Sequence, residues 1–465
     1  MLILLTLLLC FTGSLFSYNN FIDGHRIEIN LEGMQDTEVY LAYHFGNRQY
    51  LRDTAYVNSE GYALFKGKET LPPGMYIIVL EDHSNFEVIV DQGEQDFTIY
   101  ADPADLSGTA RFEGSESNRK FYAYLRFFSE KNSLRRLLEQ ELRSDEAGPQ
   151  RQAEIRAELE RLDSEVRAEQ DRIIENSPGA LLSKILLAQR DADLPEPPLD
   201  EYGQADTDRM YMEYKERFFD NIDFSDPSLL YTPVYHSRLR IFFNNVLIQH
   251  PDSLIREADR IIDKARANRE VFRYTVWFIT NNAESSQVMG MDKLFVHMVD
   301  NYYLTDEVDW VEEERLERLR EMVEDIRPLT MGNTAPEFTI TGREGESISL
   351  HEIDAEYLIL YFWDSECAFC REAMPLVREA SERLAGQGVR VFAVNTENDR
   401  LRWQRALEEY PSAWIHANDT EILDTYNIYA IPKIFILDSE KRIIAKDIGA
   451  ENIEDFLRQH IASGR

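Results

Sequence analysis

The feature that most restricts this chain is a continuous apolar run, Tyr357-Leu358-Ile359-Leu360-Tyr361-Phe362-Trp363, followed four residues later by Cys367-Ala368-Phe369-Cys370. A run without polar alternation suits a central strand covered on both faces. Asp364-Ser365-Glu366 leads into the cysteines, and Met374, Leu376, Val377 and Leu384 continue with helical spacing. The first cysteine of a pair at a helix start meets free backbone N–H groups and the positive end of the helix dipole. Both lower a thiol pKa from about 8.5 toward neutrality. Cys367 is therefore the expected nucleophile and Cys370 the resolving thiol.

Other uses of the pair fit the sequence less well. The only further cysteine, Cys10, lies in an apolar N-terminal stretch, so a framework of structural disulfides is excluded. Zinc would want four ligands, and the chain offers no second cysteine pair. Its nine histidines are scattered without ligand spacing. There is no G-x-x-x-x-G-K-[ST] loop and no H-E-x-x-H pair, so neither a metal nor a cofactor is expected. An inert bridge remains, but a three-residue spacing directly after a buried strand makes a poor staple.

The N-terminus bears on where such chemistry would occur. Met1 to Ser17 carries no charged side chain and holds an apolar run from Leu2 to Leu9. That is far short of the about 20 residues a membrane span needs, and it fits an export signal. The basic stretch usual in such signals is missing, which leaves the true start and cleavage point open. Leu9 is bulky where lipid attachment at Cys10 would favour a small residue, so Cys10 reads as part of the signal. Acidic residues outnumber basic ones 85 to 50, a net charge of −35, which argues against nucleic acid and anionic lipid as partners.

Between signal and cysteines the periodicity changes twice. Residues 18–114 alternate apolar and polar, as in Phe86, Val88 and Val90 and then Phe97 and Ile99, with turns at Ser59-Glu60-Gly61, Pro72-Pro73-Gly74 and Asp91-Gln92-Gly93. A small all-β sandwich is expected there. Residues 115–328 are helical in pattern, with a stripe at Ile155, Leu159, Leu162, Val166 and Ile173. Breaks at Ser144 to Pro149 and at Pro195-Glu196-Pro197-Pro198 divide that region. The stripe is short for a partner-binding coiled coil and reads as packing within its own helical domain. Trp277 and Tyr302-Tyr303 read as core.

After the cysteines, Val389 to Val394 reads as a buried strand and Leu401 to Tyr410 as a helix. Ile434 to Leu437 and Ile443 to Ala445 read as a strand pair across the Asp438–Lys441 turn, before a terminal helix from about Asn452 to Ile461. That order gives an α/β sheet of mixed direction over 329–465. The ordered set Gly332-Asn333-Thr334-Ala335-Pro336-Glu337-Phe338, Phe362-Trp363, Cys367 to Cys370, Pro375 and Ile431-Pro432 resembles the TlpA/ResA group of extracytoplasmic, thioredoxin-fold thiol–disulfide oxidoreductases. The resemblance implies a cis Pro432 against the cysteine pair and an Ile431 backbone that pairs with the substrate chain. The upstream β and helical segments resemble accessory domains of some bacterial TlpA-type proteins.

Two departures concern proton handling. Glu366 stands where many members carry Trp, and Ala373 stands where many carry a proton-accepting Glu, with Glu372 one position away. Trp363, Asp364 and Glu366 are read as modulating residues. The two carboxylates disfavour a Cys367 thiolate, against the pull of the helix start. The function expected is exchange of protein disulfides outside the cytoplasm, as a reductase or an isomerase fed by a membrane thiol donor; the sequence favours the reductase and does not fix the direction. The alternative is an envelope binding or scaffold protein whose upstream domains act and whose redox module is accessory. A peroxidatic P-x-x-x-[ST]-x-x-C pattern would need Pro and Ser/Thr where Leu360 and Asp364 stand, so peroxide reduction is rejected.

Overall fold

The computed structural model describes residues 24–144, 148–193, 199–410 and 413–463. The expected export signal with Cys10, the break at Pro195–Pro198 and residues 145–147 of the preceding break lie outside the described residues. Two compact units divide the chain between Arg238 and Leu239.

The first unit begins with strands β1 (His25–Leu31), β2 (Thr37–Phe45), β3 (Arg48–Val57), β4 (Tyr62–Gly67), β5 (Gly74–Leu80), β6 (Asn85–Val90), β7 (Asp96–Ala101) and β8 (Arg111–Glu113). They form two four-stranded sheets, ordered β4-β1-β7-β8 and β3-β2-β5-β6. Alternation is the cause: Ile27, Ile29 and Leu31 are buried while Arg26, Glu28 and Asn30 are half-exposed. Phe86, Val88, Val90, Phe97 and Ile99 are all buried. Gly61 turns the chain into β4 at φ 79°, where a Cβ would run into the Leu31 carbonyl, so only glycine serves.

Helices follow: the single turn α1 (Leu106–Thr109), then α2 (Glu116–Arg143), α3 (Pro149–Asn176), α4 (Leu181–Ala188), α5 (Thr207–Arg217) and α6 (Val234–Ile241). The Ser115 hydroxyl caps α2 by accepting from the Asn118 N–H at 3.1 Å. Arg151 pairs with Glu141, and Lys131 with Glu165, so α2 and α3 run antiparallel. The α3 stripe is covered from within the chain. Ile155 and Leu162 pack on Leu138 of α2, flanked by Leu142 and Leu159.

The second unit carries α7 (Pro251–Ala265), α8 (Arg269–Glu284), α9 (Met291–Met298) and α10 (Glu313–Ile326), with Tyr302 and Tyr303 buried among them. A short hairpin, β9 (Thr339–Thr341) with β10 (Ser347–Ser349), precedes the main sheet. That sheet contains β11 (Tyr357–Trp363), β12 (Val389–Asn395), β13 (Ile415–Asn418), β14 (Lys433–Asp438) and β15 (Ile443–Lys446), in the order β13-β12-β11-β14-β15. β11 runs parallel to β12 and antiparallel to β14. Its helices are α11 (Ala368–Leu384), α12 (Arg400–Ala406), α13 (Ile422–Thr425) and α14 (Ile453–Ala462).

The unbroken apolar character of β11 has a direct cause. Ile359, Tyr361 and Trp363 enter one core with Val377 and Leu384 of α11 and Leu457 of α14, whereas Leu358, Leu360 and Phe362 enter another with Leu350 and Tyr426. The helix expected to Tyr410 ends at Ala406 and tightens into a 3-10 turn over Leu407–Glu409. The β9–β10 hairpin and β13 have no counterpart in the sequence reading. They are three or four residues long, and β13 mixes His416 and Asn418 with Ile415 and Ala417. Among the described residues no helix is long and apolar enough to cross a membrane.

Candidate active site

β11 ends at Trp363, and the following turn delivers the cysteines to the start of α11. Asp364 Oδ1 accepts from the Glu366 N–H at 2.7 Å, and the Asp364 carbonyl accepts from the Cys367 N–H at 3.3 Å. Cys367 is the N-cap of α11, and its sulfur accepts from the Cys370 N–H at 3.1 Å. The two cysteines are joined as a disulfide, with Cα atoms 5.2 Å apart. Cys370 is fully buried, whereas Cys367 keeps part of its surface open. The Ile431–Pro432 peptide bond is cis, and the Ile431 carbonyl oxygen lies 3.5 Å from Cys367 Sγ. The fold thus brings together Cys367, Cys370 and the Ile431–Pro432 segment from 61 residues or more away in the chain.

The three residues flanking the motif part company. Trp363 is fully buried beneath the turn and stacks on Tyr410, ring centroids 4.0 Å apart. Asp364 is half-buried and organises the turn. Glu366 is 73% exposed and pairs with Arg402 at 2.7 Å. Its charge is therefore offset by a guanidinium as well as screened by water. On α11, Ala373 is buried and Glu372 faces solvent. Tyr361 donates to the Cys370 carbonyl at 3.0 Å. Burial pushes the phenols of Tyr361 and Tyr410 far up, so both remain protonated donors at neutral pH.

A carboxylate that the sequence reading did not single out stands behind the turn. Glu397 lies two residues beyond β12 and is buried. Its Oε1 accepts from the Ser365 hydroxyl at 2.5 Å, and Oε2 accepts from the Asn395 amide at 3.0 Å. The Asn418 amide of β13 holds Asn395 Oδ1 and the Glu397 carbonyl, each at 2.8 Å. Arg402 reaches to 4.0 Å of Oε1. One signal was available: Glu397 follows the apolar strand Val389–Val394, and the carboxyl ends of parallel strands are where an α/β sheet gathers its functional groups.

Residues 331–446 match the AhpC/TSA family, residues 25–121 a domain of unknown function (DUF4369), and residues 175–327 another (DUF5106). The thiol-disulfide oxidoreductase ResA of a Bacillus cereus strain is 26% identical over 140 residues, covering 29% of this chain and 81% of that protein. ResA of Geobacillus kaustophilus is 28% identical over 134 residues, covering 28% and 77%. Among solved structures, a domain of a possible thiol-disulfide isomerase from Cytophaga hutchinsonii is 35% identical, covers 29% of this chain and 96% of its own, and has a TM-score of 0.28. A thioredoxin-like protein from Bacteroides caccae is 20% identical over 58% of this chain and 99% of its own, with a TM-score of 0.44.

Proposed function

We propose that this chain, in which residues 331–446 are an AhpC/TSA thioredoxin-fold domain of the thiol–disulfide oxidoreductase type, exchanges protein disulfides through Cys367 and Cys370 outside the cytoplasm and works as a reductase. The observation that carries this reading is the asymmetry of the pair: a partly exposed Cys367 at a helix start, its Sγ 3.5 Å from the Ile431 carbonyl oxygen, and a fully buried Cys370. The Cys367 thiolate attacks one sulfur of a substrate disulfide, forming a mixed disulfide and releasing one substrate thiolate. The Cys370 thiolate then attacks Cys367 Sγ, which releases the second substrate thiolate and closes the Cys367–Cys370 bond. Two electrons pass to the substrate, and a membrane thiol donor restores the dithiol. Ile431 lines the substrate backbone and Pro432 holds its place against the pair. Glu397 is assigned as a positioning residue that fixes Ser365, and with it the turn into Cys367.

Export rests on the Met1–Ser17 segment, thiol–disulfide exchange on the similarity to ResA, and the reductive direction is the part that the reduction potential of the pair tests. The test is reduction of insulin disulfides by the full chain with dithiothreitol as electron source. A Cys367→Ser/Cys370→Ser variant is expected to be folded and inactive, and brief iodoacetamide treatment of the reduced protein is expected to label Cys367 first. Preferential labelling of Cys370 would reverse the assignment. No activity from the wild type, together with partner binding by the upstream segments, would favour the scaffold reading.

A further inference from the structure

A cleft of about 710 Å³ opens in the first unit where the edge strand β8 meets α2. Phe112 of β8 and Tyr122 of α2 form its floor, both buried, with ring centroids 4.8 Å apart. Tyr122 is pinned by donating its hydroxyl to the Glu87 carbonyl at 2.8 Å. Around this floor stand three arginines, Arg111, Arg119 and Arg126. Arg119 and Arg126 are two helical turns apart on the face that carries Tyr122 between them. Arg111 comes from the strand.

All three arginines are exposed, and none makes an ion pair or side-chain hydrogen bond among the described residues. Other exposed arginines, such as Arg156 of α3, also lack an ion-pair partner among the described residues; what distinguishes these three is that they line one cleft, in a molecule where acidic groups outnumber basic ones 85 to 50. The same helix shows the contrast. Lys120 pairs with Glu116, Lys131 with Glu165, Arg135 with Asp163 and Arg143 with Glu139. Glu113 also lines the cleft, its Oε2 accepting from the Tyr100 hydroxyl at 3.3 Å, so one carboxylate stands against three guanidinium groups and the lining keeps a positive balance. Three like charges left together raise one another's electrostatic energy, and an anion placed between them removes that cost. A guanidinium fork grips carboxylate, phosphate or sulfate oxygens two at a time. The volume lies within the range of small-ligand sites.

We propose that this cleft binds a ligand bearing several oxyanion groups, clamped by Arg111, Arg119 and Arg126 over the Phe112–Tyr122 floor. The site is separate from the cysteine chemistry and gives the upstream β segment a binding role. Two sources of the same chemistry are distinguished by two probes: inorganic tripolyphosphate, and a hexamer of galacturonate as an acidic glycan. Isothermal titration of the full chain at low salt is expected to give one site for at least one of them. The Arg111→Gln/Arg119→Gln/Arg126→Gln variant is expected to weaken binding at least tenfold, and Arg126→Glu alone by a comparable factor. Arg156→Gln, an exposed arginine of α3 outside the cleft, is expected to leave affinity within twofold. Unchanged melting temperatures establish that the variants are folded, and unchanged insulin reduction that the cysteine chemistry is untouched. The proposal is overturned if neither probe binds the wild type, or if both cleft variants bind as tightly as wild type or Arg156→Gln.

Discussion

At the scale of single residues, the site depends on how charges are placed behind and beside one sulfur. Glu366 is sequence-adjacent to Cys367 yet exposed and paired with Arg402. Glu366→Gln is therefore expected to change the Cys367 thiolate pKa by less than about half a unit, because exposed charges are screened and this one is already offset. Thiolate absorbance against pH measures it, and a drop of a full unit would show that the carboxylate acts on the sulfur. Glu397 is distant in sequence but buried, and it holds Ser365. Glu397→Gln keeps a hydrogen-bonding side chain and is expected to remain folded while altering the pH profile of insulin reduction. Glu397→Ala leaves Ser365 and Asn395 without their acceptor and is expected to cost about 1–3 kcal/mol in urea unfolding. An identical pH profile in Glu397→Gln would confine this residue to a structural part. The cysteine pair at the start of α11 was legible in the sequence, from two cysteines three positions apart after an apolar strand. Glu397 was not, because its importance lies in being folded against Ser365, 32 positions earlier.

At the scale of elements, β11 governs the C-terminal half. Both of its faces are covered, so every side chain from Leu358 to Trp363 is buried. Leu360→Ala is expected to destabilise by about 2–5 kcal/mol, the range for a fully buried leucine whose neighbours cannot close the space. Guanidinium unfolding measures it, and a loss below about 1 kcal/mol would mean that the core relaxes around the gap. The same period-two reading identified β6 and β7, where Phe86, Val88 and Val90 and then Phe97 and Ile99 are buried, with Ile89 of β6 buried as well. It passed over β13 because four residues with two polar side chains carry too little periodicity. That strand forms by pairing with β12, an environment supplied by the sheet rather than by its own composition. The α3 stripe shows the reverse case: its spacing is visible in the sequence, but whether α2 or another chain covers it depends on the turn between the two helices.

At the scale of the whole molecule, the second unit joins the helices after Leu239 to the cysteine-bearing sheet. Lys446 of β15 donates to Asp292 at 2.5 Å and to the Leu329 carbonyl at 3.0 Å, and its N–H donates to Met289 Sδ at 3.4 Å. Both charged side chains are largely withdrawn from water. Asp292→Ala is expected to destabilise this unit by about 3 kcal/mol, because it strands a buried ammonium. By the same contact, a fragment beginning at Leu239 is expected to unfold at higher denaturant than one beginning at Leu329, with both retaining insulin reduction. Equal midpoints would show that the helices contribute nothing to the sheet. The sequence by itself determined the chemistry and the order of structural classes, because periodicity, cysteine spacing and charge are local properties of the chain. Tertiary structure alone decided what depends on distance in space. It set the Ile431 carbonyl against Cys367, gave Glu366 to Arg402, buried Glu397 behind the turn and gathered around one cleft three arginines that have no ion-pair partner among the described residues. Each of these follows from which surfaces a sheet and its helices press together, and no local pattern encodes that.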